Sequence, residues 1–182
     1  MSVKENIFAG FGGQGVLTAG LVLAYTAMEH DLNTSWLPSY GASMRGGKSN
    51  STVKFGDTPD EIIGVPMMAE ADVLVAMNRP SLDYIKFCKP NAIVLVNTDS
   101  VEKDYVYPEG FNFVKVPAAE LAYQANNPKG VSIVMLGALI KLTGYFTAEE
   151  TKKSMANMFA EKGKSAMDAK NNAAFDAGYN AV

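Results

Sequence analysis

The feature that most constrains the fold of this sequence is a glycine-rich turn between a short apolar strand and a long helix-forming run. The turn covers residues 10–15 (GFGGQG), follows the apolar stretch 6–10 and precedes the run 16–28. Glycine permits positive φ and close approach of another group, and free N–H groups at a helix start attract anions. The pattern predicts a strand, a tight turn and a helix, and leaves open whether the turn binds an anion or only packs closely.

Short apolar segments and helix-forming segments alternate along the chain. The strands are predicted at 6–10, 34–37, 72–76, 92–97 and 111–116, and the helices at 14–29, 81–87, 118–124, 130–143 and 148–160. Uniformly apolar strands are typical of a sheet that is covered on both faces. We therefore predict an α/β fold, a doubly wound three-layer sandwich with a mainly parallel sheet, and one domain over residues 1–182.

Two segments carry additional predictions. Residues 49–55 (SNSTVKF) contain β-branched residues alternating with polar ones, which is typical of an antiparallel strand near a sheet edge. Thr147 stands three residues before Glu150, the spacing of a capping box at a helix start. Residues 164–182 are expected to form a short helix or a docked tail.

Composition excludes several classes of function. The chain has 182 residues, a formal net charge of −3, one cysteine and one histidine. An acidic balance argues against a nucleic-acid partner, and one cysteine cannot hold an iron–sulfur cluster or a Cys-ligated zinc ion. The uncharged stretch 7–28 is interrupted by five glycines and lacks a basic flank, so we predict a cytoplasmic protein with no membrane segment and no metal ligands.

The glycine turn by itself suggests a Rossmann-like dinucleotide site. Such a site requires an acidic residue at the end of the second strand, where it binds the ribose hydroxyls. This region reads NTSWLPS over residues 33–39 and has no acid, and Asp31 precedes the strand. A free-standing nucleotide-binding domain therefore remains only an alternative hypothesis.

A second motif follows the second predicted strand. It reads PSYGASMRGGKS over residues 38–49 and places Arg45 directly before two glycines. Ligands of open α/β sheets collect at the carboxyl ends of the strands, and a guanidinium group suits a phosphate or carboxylate. We expect Arg45 to reach such a group, and a solvated surface loop is the alternative.

Together the two motifs resemble the gamma subunit, or gamma domain, of the 2-oxoacid:ferredoxin oxidoreductases. Members of that family carry G-x-G-G-Q-G-V, then Y-G-x-x-x-R-G-G, then A-D-x-L-V-A-x-N, and this chain matches them at 10–16, 40–47 and 71–78. Residues 136–139 and 172–178 also resemble the family. One departure is Ser43, which occupies a position where the family often has glutamate.

The resemblance implies oxidative decarboxylation of a 2-oxoacid to its acyl-CoA, with thiamine diphosphate, Mg and [4Fe-4S] clusters on partner subunits. It implies alpha and beta partners, in some complexes also a delta subunit, with ferredoxin as the electron acceptor and coenzyme A (CoA) as a co-substrate that contacts this chain. The isolated chain is expected to be inactive. The small subunit of an indolepyruvate-type oxidoreductase is the alternative within the family.

The candidate cofactor-binding or subunit-interface residues come from the three motifs, and no catalytic residue is assigned. They are Gly10, Gly12, Gly13, Gln14, Gly15, Tyr40, Gly41, Arg45, Gly46, Gly47 and Asn78. For Asn78 two interpretations stay open: it lines the same crevice, or it begins the turn into Arg79 and Pro80.

Overall fold

The computed structural model describes residues 3–41, 46–65 and 68–182. Six strands form one sheet: β1 Lys4–Phe11, β2 Thr34–Tyr40, β3 Lys48–Phe55, β4 Ala71–Ala76, β5 Cys88–Asn97 and β6 Asn112–Val116. The α-helices are α1 Val16–Glu29, α2 Ala118–Gln124, α3 Val131–Thr143, α4 Ala148–Glu161 and α5 Asp168–Tyr179. Three 3₁₀ segments, Arg79–Phe87, Thr98–Ser100 and Ser165–Met167, complete the described secondary structure.

The strand order is β2-β3-β1-β4-β5-β6. The pairs β1–β4, β4–β5 and β5–β6 are parallel, whereas β3 is antiparallel to both β1 and β2. Five strands therefore run in one direction and β3 runs against them. Their carboxyl ends and the start of β3 lie at the same edge of the sheet, which is the edge where both glycine motifs stand.

Each face of the sheet has its own apolar core. Phe8, Val53 and Val75 lie in the cluster that also contains buried residues of all five α-helices. Alternate positions, such as Ile7 and Leu74, pack on the other face against the 3₁₀ segment Arg79–Phe87 and the stretch 101–113. These layers confirm the predicted α/β sandwich.

The antiparallel strand predicted near a sheet edge belongs to an antiparallel edge pair, but it is the inner strand of that pair and is more buried than expected. Residues 48–55 are antiparallel as expected, but β3 lies between β1 and β2, and its Ser51, Thr52 and Val53 are buried. The outermost strand on this side of the sheet is β2, which contains Pro38, a residue without the N–H that an inner strand needs. The serines of β3 face α1, and the Ser51 hydroxyl donates to the Val16 carbonyl oxygen at 3.1 Å.

The crossover after β4 is a 3₁₀ helix, whereas the sequence pattern predicts an α-helix over 81–87. It covers nine residues, Arg79–Phe87. A 3₁₀ helix rises about 2.0 Å per residue against about 1.5 Å for an α-helix. The segment therefore reaches back along the six-residue β4 in fewer residues than an α-helix would need.

The last two helices agree with the sequence. Thr147 and Glu150 form the predicted capping box, and the hydrogen bonds from the Thr147 hydroxyl and backbone lower the pKa of Glu150. The expected tail is α5, which packs against α3. Among the described residues, no helix combines the length and the apolar character needed to cross a membrane.

Candidate functional site

The structure joins the two glycine motifs by backbone hydrogen bonds. The Gly12 N–H donates to the Gly47 carbonyl oxygen at 2.9 Å, and the Gly46 N–H donates to the Gly12 carbonyl oxygen at 3.3 Å. The same edge pairs Phe11 at the end of β1 with Lys48 at the start of β3. The strand order thus produces a contact that the sequence only suggested.

Two glycines of the first motif adopt backbone conformations that other residues rarely take. Gly13 has φ of 98° and Gly15, at the start of α1, has φ of 78°. A side chain at Gly13 would meet no atom within 4 Å, whereas a side chain at Gly15 would overlap the Ser132 hydroxyl. Gly15 therefore also allows α3 to approach the turn, and Gly13 leaves the turn open to solvent.

A pocket of about 480 Å³ opens directly over this turn. Its wall combines apolar side chains with backbone and hydroxyl groups, from Phe11, Gly12, Gly13, Gly15, Val16, Leu17, Thr18, Tyr40 and Ser49. Ligand pockets typically have this mixture of apolar surface and a few polar groups. The pocket therefore has room and chemistry for part of an organic anion.

The first turn of α1 supplies hydrogen-bond donors to the pocket wall. No acceptor among the described residues pairs with the backbone N–H groups of Val16, Leu17 and Thr18. Gly15 offers no side-chain cap, and the first turn contains no acidic residue. Because a helix start carries partial positive charge, this arrangement favours a negatively charged group.

Gln14 differs from its neighbours because its side chain folds beneath the turn. Its Oε1 accepts hydrogen bonds from the Phe11 N–H at 2.7 Å and from the Asn78 Nδ2 at 2.7 Å. Asn78 also caps the 3₁₀ segment, since its Oδ1 accepts from the Ser81 N–H at 3.1 Å. Asn78 thus begins the turn into Arg79 and Pro80, as one of the two interpretations predicts. It also contacts the glycine turn through Gln14.

The remaining predicted residues lie around the mouth of the pocket or outside the described part. Tyr40 is 64% exposed and lines the pocket. The Gly41 N–H donates to the Lys48 carbonyl oxygen at 3.2 Å and extends the pairing of β2 with β3. Arg45 and Ser43 lie outside the described residues, so the role expected for Arg45 stays a prediction.

The described residues do not offer a metal site. No group of three or more His, Cys, Asp or Glu side chains in that part of the chain is arranged to hold an ion. Burial, with a smaller effect of Glu5, raises the pKa of the Cys88 thiol to about 12, and a protonated thiol is a poor ligand. Residues 3–41, 46–65 and 68–182 therefore offer no set of ligands that fits an iron–sulfur cluster or the metal of thiamine diphosphate.

Sequence reasoning missed five pocket residues, Phe11, Val16, Leu17, Thr18 and Ser49, and it missed Ser132 as the neighbour of Gly15. Leu17 and Thr18 are the first-turn residues of the predicted helix, so their position after the glycines was a usable signal. Ser132 is distant in sequence and reaches the turn only because α3 packs beside α1. No sequence pattern indicates that contact.

Comparison with known families and relatives identifies similar proteins over nearly the whole chain. The family described as "Pyruvate ferredoxin/flavodoxin oxidoreductase" matches residues 5–181. A ketoisovalerate oxidoreductase subunit VorA from Methanothermobacter marburgensis is 39% identical over 135 residues, which are 74% of this chain and 27% of the relative. This chain thus spans less than a third of that relative's length.

Other relatives are similar along their full length. A 2-oxoglutarate synthase subunit KorC from Methanocaldococcus jannaschii is 34% identical over 179 residues, 97% of this chain and 92% of the relative. The crystal structure of a keto/oxoacid ferredoxin oxidoreductase gamma subunit from Geobacter sulfurreducens has a TM-score of 0.79 and 27% identity. It covers 97% of this chain and 96% of that chain.

Proposed function

Because the chain belongs to the pyruvate ferredoxin/flavodoxin oxidoreductase family, we propose that it is the gamma-type subunit of a 2-oxoacid:ferredoxin oxidoreductase. Similarity to KorC and to a gamma subunit over almost the full chain supports this assignment. The assembled enzyme would convert a 2-oxoacid anion and CoA into acyl-CoA, CO₂ and one proton, and two electrons would reduce ferredoxin. The proposal keeps one domain and the cytoplasmic location expected from the sequence.

In this proposal the cofactors belong to other subunits. Thiamine diphosphate with Mg and the [4Fe-4S] clusters would be held by alpha and beta partners, and in some complexes by a delta partner. The chemistry of the described residues supports this division, since Cys88 is a half-buried thiol of raised pKa. We expect the isolated chain not to decarboxylate a 2-oxoacid.

The contribution of this chain is the pocket at the glycine turn, which would bind an anionic part of CoA. The observation that carries this proposal is the set of unpartnered N–H groups at Val16, Leu17 and Thr18 on the wall of an open pocket. The N–H groups would bind a phosphate of CoA, and the apolar wall would exclude water from the neighbouring part of the molecule. Arg45 is expected to add a guanidinium group there.

A matched pair of variants at Gly13 tests the CoA assignment. A Cβ added at Gly13 meets no atom within 4 Å. Aspartate and asparagine have nearly the same size, and both tolerate positive φ better than most residues. Only the aspartate adds negative charge beside the donors. In the assembled enzyme we expect Gly13→Asp to raise the KM for CoA about tenfold over Gly13→Asn, equivalent to about 1.4 kcal/mol, with the KM for the 2-oxoacid unchanged.

Equal CoA requirements in the two variants would reject binding of an anion at this turn. Assembly is tested separately, by native purification of the tagged chain and mass spectrometry of the polypeptides that accompany it. Copurification of thiamine-binding and cluster-bearing polypeptides is expected. The indolepyruvate-type alternative predicts the same partners in a different number and activity on aryl 2-oxoacids, so the substrate range of the purified complex separates the two.

A further inference from the structure

We propose that Asn78 is a positioning residue for the glycine turn: through Gln14 it holds the turn in the shape that presents its N–H groups to the pocket. The inference rests on the proposed function, because it concerns the same pocket. It assigns Gln14 and Asn78 roles that differ from ligand contact.

The first observation is how the Gln14 side chain is held. Its Oε1 accepts from two donors at once, the Phe11 N–H and the Asn78 Nδ2, each at 2.7 Å. One bond closes the turn on itself, and the other ties the turn to Asn78, two residues after the end of β4. A side chain at Gly10 would lie 2.8 Å from the same oxygen, so the absence of a side chain there makes room for the arrangement.

The second observation is that Asn78 cannot turn its amide without losing other bonds. Asn78 is 5% exposed, and its Oδ1 accepts from the Ser81 N–H at 3.1 Å and from the Ser81 hydroxyl at 2.8 Å. With Oδ1 committed to Ser81, Nδ2 has to face Gln14. A buried amide with both ends paired has one orientation.

A second buried amide, Asn97, holds the backbone of Met77, the residue before Asn78. The Asn97 Nδ2 donates to the Met77 carbonyl oxygen at 3.2 Å, and the Asn97 Oδ1 accepts from the Ala118 N–H at 3.2 Å. Asn97 ends β5 and Ala118 begins α2. The backbone before Asn78 is therefore tied to the end of β5 and, through Asn97, to the start of α2, and a positioning group requires such support.

The third observation concerns the pocket wall. Phe11, Gly12, Gly13 and Gly15 line the pocket, and within the described residues that form it Gln14 is absent. Gln14 is thus the member of the turn that faces the protein. Gln14 can therefore affect a bound ligand only by fixing the conformation of the backbone on either side of it.

Asn78→Asp separates positioning from capping. The substituted side chain keeps an oxygen for Ser81 but presents a second oxygen to Gln14 Oε1, where Asn78 has a donor. If the Gln14 amide flipped so that its NH₂ group faced that oxygen, Oε1 would move away from the Phe11 N–H and the bond that closes the turn would be lost. In the assembled enzyme we expect the KM for CoA to rise about tenfold, since small misplacements of binding groups cost up to about 100-fold. The kcat and the KM for the 2-oxoacid should stay within about twofold.

Ser81→Ala is the matched control. It removes the hydroxyl contact with Asn78 Oδ1 but leaves the Ser81 N–H and the bond from Asn78 to Gln14 intact. The KM for CoA should therefore stay within about twofold of the wild-type value. A rise equal to that of Asn78→Asp would mean that the cap, and not the contact with Gln14, sets the CoA requirement, which would overturn the proposal.

Gln14→Ala supplies the second measurement, takes the place of Asn78→Asp if that variant fails to assemble, and otherwise completes a double-mutant cycle with it. Gln14→Ala removes the same contact from the other side, at a residue in the turn rather than after β4. It should raise the KM for CoA alone, and Asn78→Asp should add little in that background. Independent, multiplying effects would overturn the positioning role.

The Gly13 pair shows which proposal has failed. If Gly13→Asp raises the KM for CoA over Gly13→Asn but Asn78→Asp and Gln14→Ala leave it unchanged, only the positioning role is wrong. If all of these variants leave the KM for CoA unchanged, CoA does not bind at the turn and both proposals fall.

Discussion

Gly13 and Gly15 belong to the same turn but meet different constraints. Both have positive φ, at 98° and 78°, so any residue other than glycine would strain the backbone at either position. Only Gly15 also stands against another helix, through Ser132. Glycine at position 13 therefore leaves the pocket open, and glycine at position 15 allows α3 to pack against the turn.

The difference predicts unequal losses of stability. Gly13→Ala should lower the free energy of unfolding by about 1 kcal/mol, whereas Gly15→Ala should lower it by about 3 kcal/mol because a steric overlap is added. Ser132→Ala in the Gly15→Ala background should restore part of the loss, since it removes the overlapping hydroxyl. Urea unfolding of the purified chain measures the free energy of unfolding of the wild type and the three variants. Equal losses at the two glycines would contradict the packing role of Gly15.

At the scale of elements, α3 and α5 approach each other through glycine. A side chain at Gly178 would overlap the Val134 carbonyl oxygen, and one at Gly137 would overlap the Phe175 carbonyl oxygen. The backbones of the two helices are thus in direct contact. This explains why α3 is buried over nine consecutive residues, Ser132 to Ile140, and needs a glycine within its apolar run.

Gly178→Ala should therefore act against ordinary helix propensity. At an exposed helical position this substitution stabilises by about 1 kcal/mol, but here we expect a loss of about 3 kcal/mol or more. Ala173→Gly, at an exposed position of the same helix, is the control and should cost about 1 kcal/mol from propensity alone. Urea unfolding checks both, and a stabilised Gly178→Ala variant would show that the helices can separate without cost.

At the scale of the whole molecule, the sheet order bears on the choice between a CoA site and a dinucleotide site. In a dinucleotide fold the strand beside β1 ends in an acid that binds the ribose. Here the neighbours of β1 are β3, which runs the opposite way and begins at Lys48, and β4, which is followed by Asn78. Neither neighbour places a carboxylate beside the glycine turn.

This topology predicts that the isolated chain does not retain NAD. Equilibrium dialysis of the purified chain should give a Kd weaker than about 1 mM, which corresponds to less than about 4 kcal/mol of binding free energy. Gly13→Asp, which adds a charge beside the donors, serves as the comparison and should retain equally little. Stoichiometric binding of NAD, FAD or ATP at micromolar concentration would instead support a free-standing nucleotide-binding domain.

The sequence by itself determined the strand–turn–helix unit, the capping box and the limits of most helices. These depend on glycine conformation, side-chain caps and apolar periodicity, which act over a few residues. Only the tertiary structure decided that β3 enters the sheet beside β1 and that Gln14 turns toward Asn78, because both depend on groups far apart in the chain. The free energy of such contacts is set by which strands pair and which helices pack, and no local pattern of residues encodes that choice.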